Sequence, residues 1–215
     1  MVTELDRRFG NILKDYLTPF LNGWDFRKRR LSYLRNKDSV TWYVGVQRGR
    51  WNNNARIEFT LNCGIFVPGV VSTYTNRPET TSIGLSDCCI IARIGMLSEK
   101  KLDKWWVLED IVESSDSDIT IGTEVNSYME QYGLPFLSRF QTTEQILSFL
   151  HAPVSSDDSL IQPQNRTIRL AYAAILHSMR SEHDELSSAI EAAMEAGHGT
   201  PIEGVLSRLD RKLRN

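Results

Sequence analysis

Residues 40–48, VTWYVGVQR, and 56–67, RIEFTLNCGIFV, decide how this chain is read. In the first, Val40, Trp42, Val44 and Val46 fall on alternate positions; in the second, Ile57, Phe59, Leu61, Cys63, Ile65 and Val67 do the same. Successive strand residues point to opposite faces, so a period of two marks a strand with one apolar face. The polar link RGRWNNN between the runs makes them a hairpin from Val40 to Val67. The opposite face then carries Tyr43, Gln47, Glu58, Thr60 and Asn62.

Outward toward the N-terminus, Leu5, Phe9, Ile12, Leu13, Tyr16 and Phe20 recur at helical spacing, predicting a helix over 3–22 with Thr3 as N-cap. Pro19 is expected to end or kink it near Leu17 or Thr18. The basic stretch WDFRKRRLSYLR reads as one short edge strand. Beyond the hairpin, residues 68–86 read as a long loop, 87–97 (DCCIIARIGML) as a strand, and LDKWWVLED as another, with one Trp facing in and its neighbour covering the other face. A helix over 118–132 is expected to stop at Gly133 and Pro135, and Thr142 with Gln145 forms a capping box for the next. The remainder is helical, with an Ala-rich antiparallel pair and a third helix.

The pattern specifies an α+β fold: a central antiparallel β-sheet packed by helices, followed by a small C-terminal helical hairpin appendage. Residues 1–152 are expected to form the α+β domain, 153–163 (rich in Pro, Ser and Asp) a linker, and 164–215 the appendage.

At 215 residues, 41% hydrophobic and 24% charged, the chain has the composition of a folded protein, which excludes global disorder. Its apolar runs are too short to span a bilayer, and MVTELDRRFG lacks the apolar core of a secretory leader, so a cytoplasmic location without membrane association is expected. Cys63, Cys88 and Cys89 lie within strand patterns and are expected to be buried thiols. The net charge of −2 conceals a basic N-terminal third, concentrated in FRKRRLSYLRNK and at Arg48, Arg50 and Arg56. Such a cluster attracts phosphates or an acidic protein alike.

No phosphate loop, nucleophile elbow or metal-binding histidine pair one helical turn apart occurs, so no catalytic residue, metal site or cofactor is assigned. Glu109, Asp110, Glu113, Asp116 and Asp118 lack the ligand ladder of a calcium loop and read as a solvated helix entry. The informative polar residues lie on the hairpin. If the 87–97 strand is a neighbour, Arg93 joins Tyr43, Gln47, Glu58 and Asn62 on one polar surface. A second candidate is the hairpin tip, where Trp51 is flanked by Arg48 and Arg50 like an interface anchor.

Gly23-Trp24, VGVQRG, FTLNCGI, CIIARIGML, DKWWVLED, YGLPFL and TTEQILSFL occur in that order. The series resembles the bacterial family called domain of unknown function 4304, over roughly residues 5–150. The resemblance implies an α+β domain with a central antiparallel sheet, in genomes where some members lie near toxin or defence genes. The family's polar signature corresponds to Gln47, Asn62 and Arg93, with Trp105 and Trp106 following.

The expectation is a non-enzymatic protein-binding module, an immunity protein or defence component that neutralises a toxin or operon partner by binding it. The alternatives are a small enzyme or ligand sensor using a polar cleft at Tyr43, Glu58 and Arg93, and nucleic-acid binding through the basic third.

Overall fold

The structure, a computed structural model, describes residues 3–109 and 114–214. Asp110 and Glu113 of the acidic run lie outside these residues. Six strands among them form an antiparallel sheet: β1 (Arg27–Arg29), β2 (Ser32–Lys37), β3 (Val40–Arg48), β4 (Arg56–Phe66), β5 (Ile90–Arg93) and β6 (Trp106–Glu109). The order is β1-β2-β3-β4-β5, and β6 also pairs with β4. The two alternating runs are therefore the central strands β3 and β4. With its helices the sheet makes an α+β fold.

The basic stretch holds two strands where one is expected. Arg30 takes a left-handed φ of 55°, which folds β1 back on β2 with Arg29 opposite Ser32. The 87–97 strand is shorter than its apolar pattern. It ends at Arg93 and turns through a 3-10 segment, Ile94–Leu97. A Cβ at Gly95 would sit 2.3 Å from the Leu102 carbonyl oxygen, so the backbone turns where only glycine fits. The 68–86 loop contains a short helix, α3 (Val70–Thr75).

Contacts divide the chain into two compact units. The first comprises Met1–Asn36, Trp42–Gly64 and Ala92–Arg139. Its N-terminal helix α1 (Glu4–Ile12) starts at a complete capping box. The Thr3 hydroxyl accepts from the Asp6 amide at 3.1 Å, and the Asp6 carboxylate accepts from the Thr3 amide at 3.2 Å. The helix does not stop at Pro19. It widens into a π-turn, Leu13–Leu17, and continues as α2 (Thr18–Asn22). The same device recurs where α4 (Ser114–Tyr128) passes through a π-turn, Met129–Gly133, into α5 (Leu134–Ser138) across Pro135.

One face of the sheet is covered by an aromatic ladder. The Phe9 ring of α1 meets Phe59 edge-on at 5.2 Å, Phe59 lies 5.5 Å from Trp106, and Trp106 meets Tyr128 of α4 at 5.6 Å. Phe59 is fully buried, which stabilises the fold by about 3 kcal/mol at this side-chain size. Arg8 sits beside the ladder, 5% exposed. It grips the Asp118 carboxylate through Nε and Nη2 and donates to the Glu109 carbonyl at 2.8 Å.

The second unit comprises Lys37–Thr41, Ile65–Ile91 and Phe140–Asn215, and so contains the whole of 153–163. Its helices are α3, α6 (Thr143–His151), α7 (Arg166–Met179), α8 (His183–Gly197) and α9 (Glu203–Arg214). Thr142 and Gln145 form the expected capping box of α6. Ala173, Ala174, Ala189 and Ala193 are buried, letting α7 and α8 pack closely. Gln162 bridges to Ile91 through two backbone hydrogen bonds. No helix among the described residues is long and apolar enough to cross a membrane.

Candidate functional site

Three of the eight expected site residues meet on the first unit. Gln47 of β3 accepts from Asn62 Nδ2 of β4 at 2.9 Å and lies 3.5 Å from Arg93 Nη2 of β5. Arg93 in turn pairs with the Asp103 carboxylate at 2.6 Å. Its guanidinium stands 5.3 Å from the centre of the Trp105 ring, whose Nε1 donates to the same carboxylate at 2.9 Å. Trp106, the next residue, faces the aromatic ladder, so the Trp pair splits across the strand as its alternation requires. Asp103 was not legible as a member, because it lies in the irregular segment before β6, where no periodicity assigns a face.

The sheet's second face carries the expected polar residues, but much of it is buried. Thr60 is fully buried and Asn62 is 4% exposed, while Gln47 at the strand end is exposed. Tyr43 is buried too, and its ring lies along its own strand, so that a Cβ at Gly45 would fall 2.5 Å from the Tyr43 hydroxyl. Tyr43 is therefore part of the packing. Glu58 is half-buried, 3.6 Å from Arg56, with its side chain against Gly49. It stands apart from the Gln47–Arg93 cluster.

At the hairpin tip the two arginines separate. Arg48 turns to α1, pairs with Asp6 at 2.8 Å and lies 5.2 Å from the Phe9 ring centre. Hydrogen bonds from Thr3, and then Arg48, hold the Asp6 carboxyl below its usual range. Arg50 instead lies 5.3 Å over the ring of Trp51, and Trp51 is 77% exposed.

A cavity of about 490 Å³ lies within the second unit, lined by Ser86, Cys88, Cys89, Ile91, Gln162, Pro163, Gln164, Asn165, Ile168 and Tyr172. Tyr43, Glu58 and Arg93 are not among its lining residues. Burial pushes the Cys89 thiol up to about 12 and Cys88 well above its usual value, so neither is a thiolate at neutral pH. Asn165 is engaged in capping α7, accepting from the Thr167 and Ile168 amides at 2.8 and 3.3 Å. Burial also raises Tyr172, so the lining offers no group poised as nucleophile or base.

The family model for Domain of unknown function (DUF4304) matches residues 17–139, more than half of the chain. The chain belongs to this family. The DUF4304 span contains all six strands, the Gln47–Asn62–Arg93–Asp103–Trp105 cluster and the hairpin tip, whereas α6 to α9 lie beyond it. No curated protein and no solved structure matches the chain.

Proposed function

We propose that this DUF4304 chain is a non-enzymatic protein-binding module whose contact surface is the β3–β4 tip, and that it acts as an immunity protein, covering a toxin made by a neighbouring gene. The observation that carries this reading is Trp51. The fold buries Trp42 and Trp106 to within 4% exposure yet leaves Trp51 at 77%, with Arg50 over its ring. An exposed indole forfeits roughly 2–3 kcal/mol of burial that a partner would recover. Tryptophan and arginine are the residues that dominate the energetics of protein interfaces. The basic N-terminal third favours an acidic partner surface.

The test is co-expression of the chain with the products of its neighbouring genes, followed by affinity measurement and a growth-protection assay. Trp51→Ala is expected to weaken binding about 30-fold, the equivalent of roughly 2 kcal/mol, without altering the fold. Wild-type affinity in that variant would overturn the assignment of the tip. Absence of any specific complex, together with absence of protection, would overturn the function.

A second reading rests on β1, whose Arg27, Lys28 and Arg29 are all exposed on an edge strand. Nucleic-acid binding through this strand would weaken steeply with salt. Salt-independent binding, or none near physiological ionic strength, would end it.

A further inference from the structure

Helices α6 and α7 bring together two histidines that are 26 residues apart in sequence. His151 is the last residue of α6 and exposed; His177 is in the last turn of α7 and buried. Their Nε2 atoms stand 2.9 Å apart. The Nδ1 of His177 is 2.7 Å from the Glu182 carboxylate, whose other oxygen accepts from Arg180 Nε at 2.7 Å. Arg180 is also paired with Glu144 at the start of α6, and Arg166 donates to the His151 carbonyl.

This network sets the tautomer of His177. Hydrogen bonds from His177 and Arg180 hold the Glu182 carboxyl below its usual range, so at neutral pH it is a carboxylate and accepts only. The hydrogen of neutral His177 therefore sits on Nδ1, and Nε2 presents its lone pair toward His151. An imidazole backed by a carboxylate in this way is the standard arrangement of a metal-ligating histidine.

We propose that His151 and His177 form a two-imidazole site for a divalent transition-metal ion of the zinc type, with Glu182 as its positioning residue. A tetrahedral ion with metal–nitrogen bonds of about 2.0–2.1 Å holds two nitrogens about 3.3 Å apart. In the metal-free pair the rings meet head-on with their centres 5.2 Å apart, so binding needs the Nε2 atoms to part by a few tenths of an ångström and the rings to turn by roughly 70° between them, from collinear to the tetrahedral angle; His151, exposed at a helix end, gives most of that movement. Proton balance is simple. In the metal-free pair His151 donates its Nε2 hydrogen to His177; on binding, that hydrogen moves through solvent to His151 Nδ1, and both Nε2 lone pairs face the ion. Among the described residues no set of three or more His, Cys, Asp or Glu converges on one point. The described residues thus supply two ligands and water the rest, which makes an exchangeable site rather than a closed structural one. This inference is independent of the protein-binding reading.

The test uses the full chain, stripped with a chelator and titrated at neutral pH with Zn²⁺ alone by calorimetry and with Co²⁺ alone by absorption. One ion per chain is expected. His151→Ala, at an exposed position, is expected to remove saturable binding with the fold intact by circular dichroism. Glu182→Gln should weaken binding about 10–100-fold while keeping both ligands. Three results would each overturn the proposal. These are no saturable binding where a helical two-histidine peptide is loaded, wild-type affinity in His151→Ala, and a cobalt–thiolate band assigning the ion to the cysteines.

Discussion

The hydrogen bond from Asn62 to Gln47 sets up a measurement of whether the second face of the sheet is dry. Asn62 is 4% exposed and donates through Nδ2 at 2.9 Å, whereas its acceptor Gln47 is exposed. Removing a hydrogen-bond partner is costly when the group left behind is buried and cheap when it is wet. Gln47→Ala strands the buried Asn62 amide and should cost about 2 kcal/mol, within the 1–3 kcal/mol span for an unsatisfied buried donor. In a chain of this size that lowers Tm by about 4–8 °C. Asn62→Ala frees only the exposed Gln47 oxygen, which water resatisfies, and should cost about 1 kcal/mol plus whatever packing the amide supplied. The double variant should then be no worse than Asn62→Ala alone, because the stranded group is gone.

Urea denaturation of the wild type, both single variants and the double variant closes this cycle. Truncating the exposed residue must therefore cost at least as much as the hydrogen-bond loss at the buried one, and the pair must be strongly non-additive. If Gln47→Ala stays within about 0.5 kcal/mol of wild type, the range of ordinary surface substitutions, water reaches Asn62 and the face is wet. Simple additivity would refute the account equally.

Arg8→Ala removes a 5%-exposed guanidinium that satisfies both Asp118 and the Glu109 carbonyl, so a loss of about 3–5 kcal/mol is expected in the same denaturation assay. Trp51→Ala should leave the denaturation midpoint unchanged while weakening partner binding about 30-fold, since its ring is 77% exposed. Acid should destabilise the second unit early. Burial, then His177 and Arg166, lower the His151 pKa below its ordinary 6.5, so the unfolded chain takes up the proton first. Stability is accordingly complete above about 6.5 and lost as pH falls through the folded value. His151→Gln should flatten that part of the Tm–pH profile, and an unchanged profile would contradict the assignment.

The parts of the fold that periodicity can report were readable. Alternation placed β3 and β4, and capping boxes placed the starts of α1 and α6, because both signals are local and carried by the residues themselves. Alternation states which residues share a face but not what lies against it. Thr60 and Asn62 share a face with Gln47 as expected, yet both are buried, and Tyr43 lies along its own strand over Gly45. Gln47, Asn62 and Arg93 could be grouped beforehand because each sits on a regular strand; Asp103 could not. The histidine pair was hidden for a different reason. His151 and His177 are 26 residues apart on separate helices, and a search for two histidines on one helical turn is blind to ligands contributed by two.

The two prolines show how a local rule fails when the backbone has a second solution. Pro19 and Pro135 lack an amide hydrogen, and in an α-helix each would leave an acceptor unpaired and press its ring on the preceding turn. That rule predicts two helix ends. Both helices instead widen by one residue just before the proline, with the Thr18 amide reaching back to the Leu13 carbonyl and the Leu134 amide to the Met129 carbonyl. The Thr18 hydroxyl also donates to the Leu13 carbonyl at 2.6 Å. Each proline then occupies the second position of a new helical segment, where the missing donor costs least. What sustains this is tertiary. Leu13, Leu17 and Leu21 on the first helix, and Met129, Leu134 and Leu137 on the second, are all buried, so ending either helix at its proline would expose part of the core. Apolar burial of several side chains, at roughly 1.5–3 kcal/mol each, outweighs the local penalty of a proline at about 3 kcal/mol.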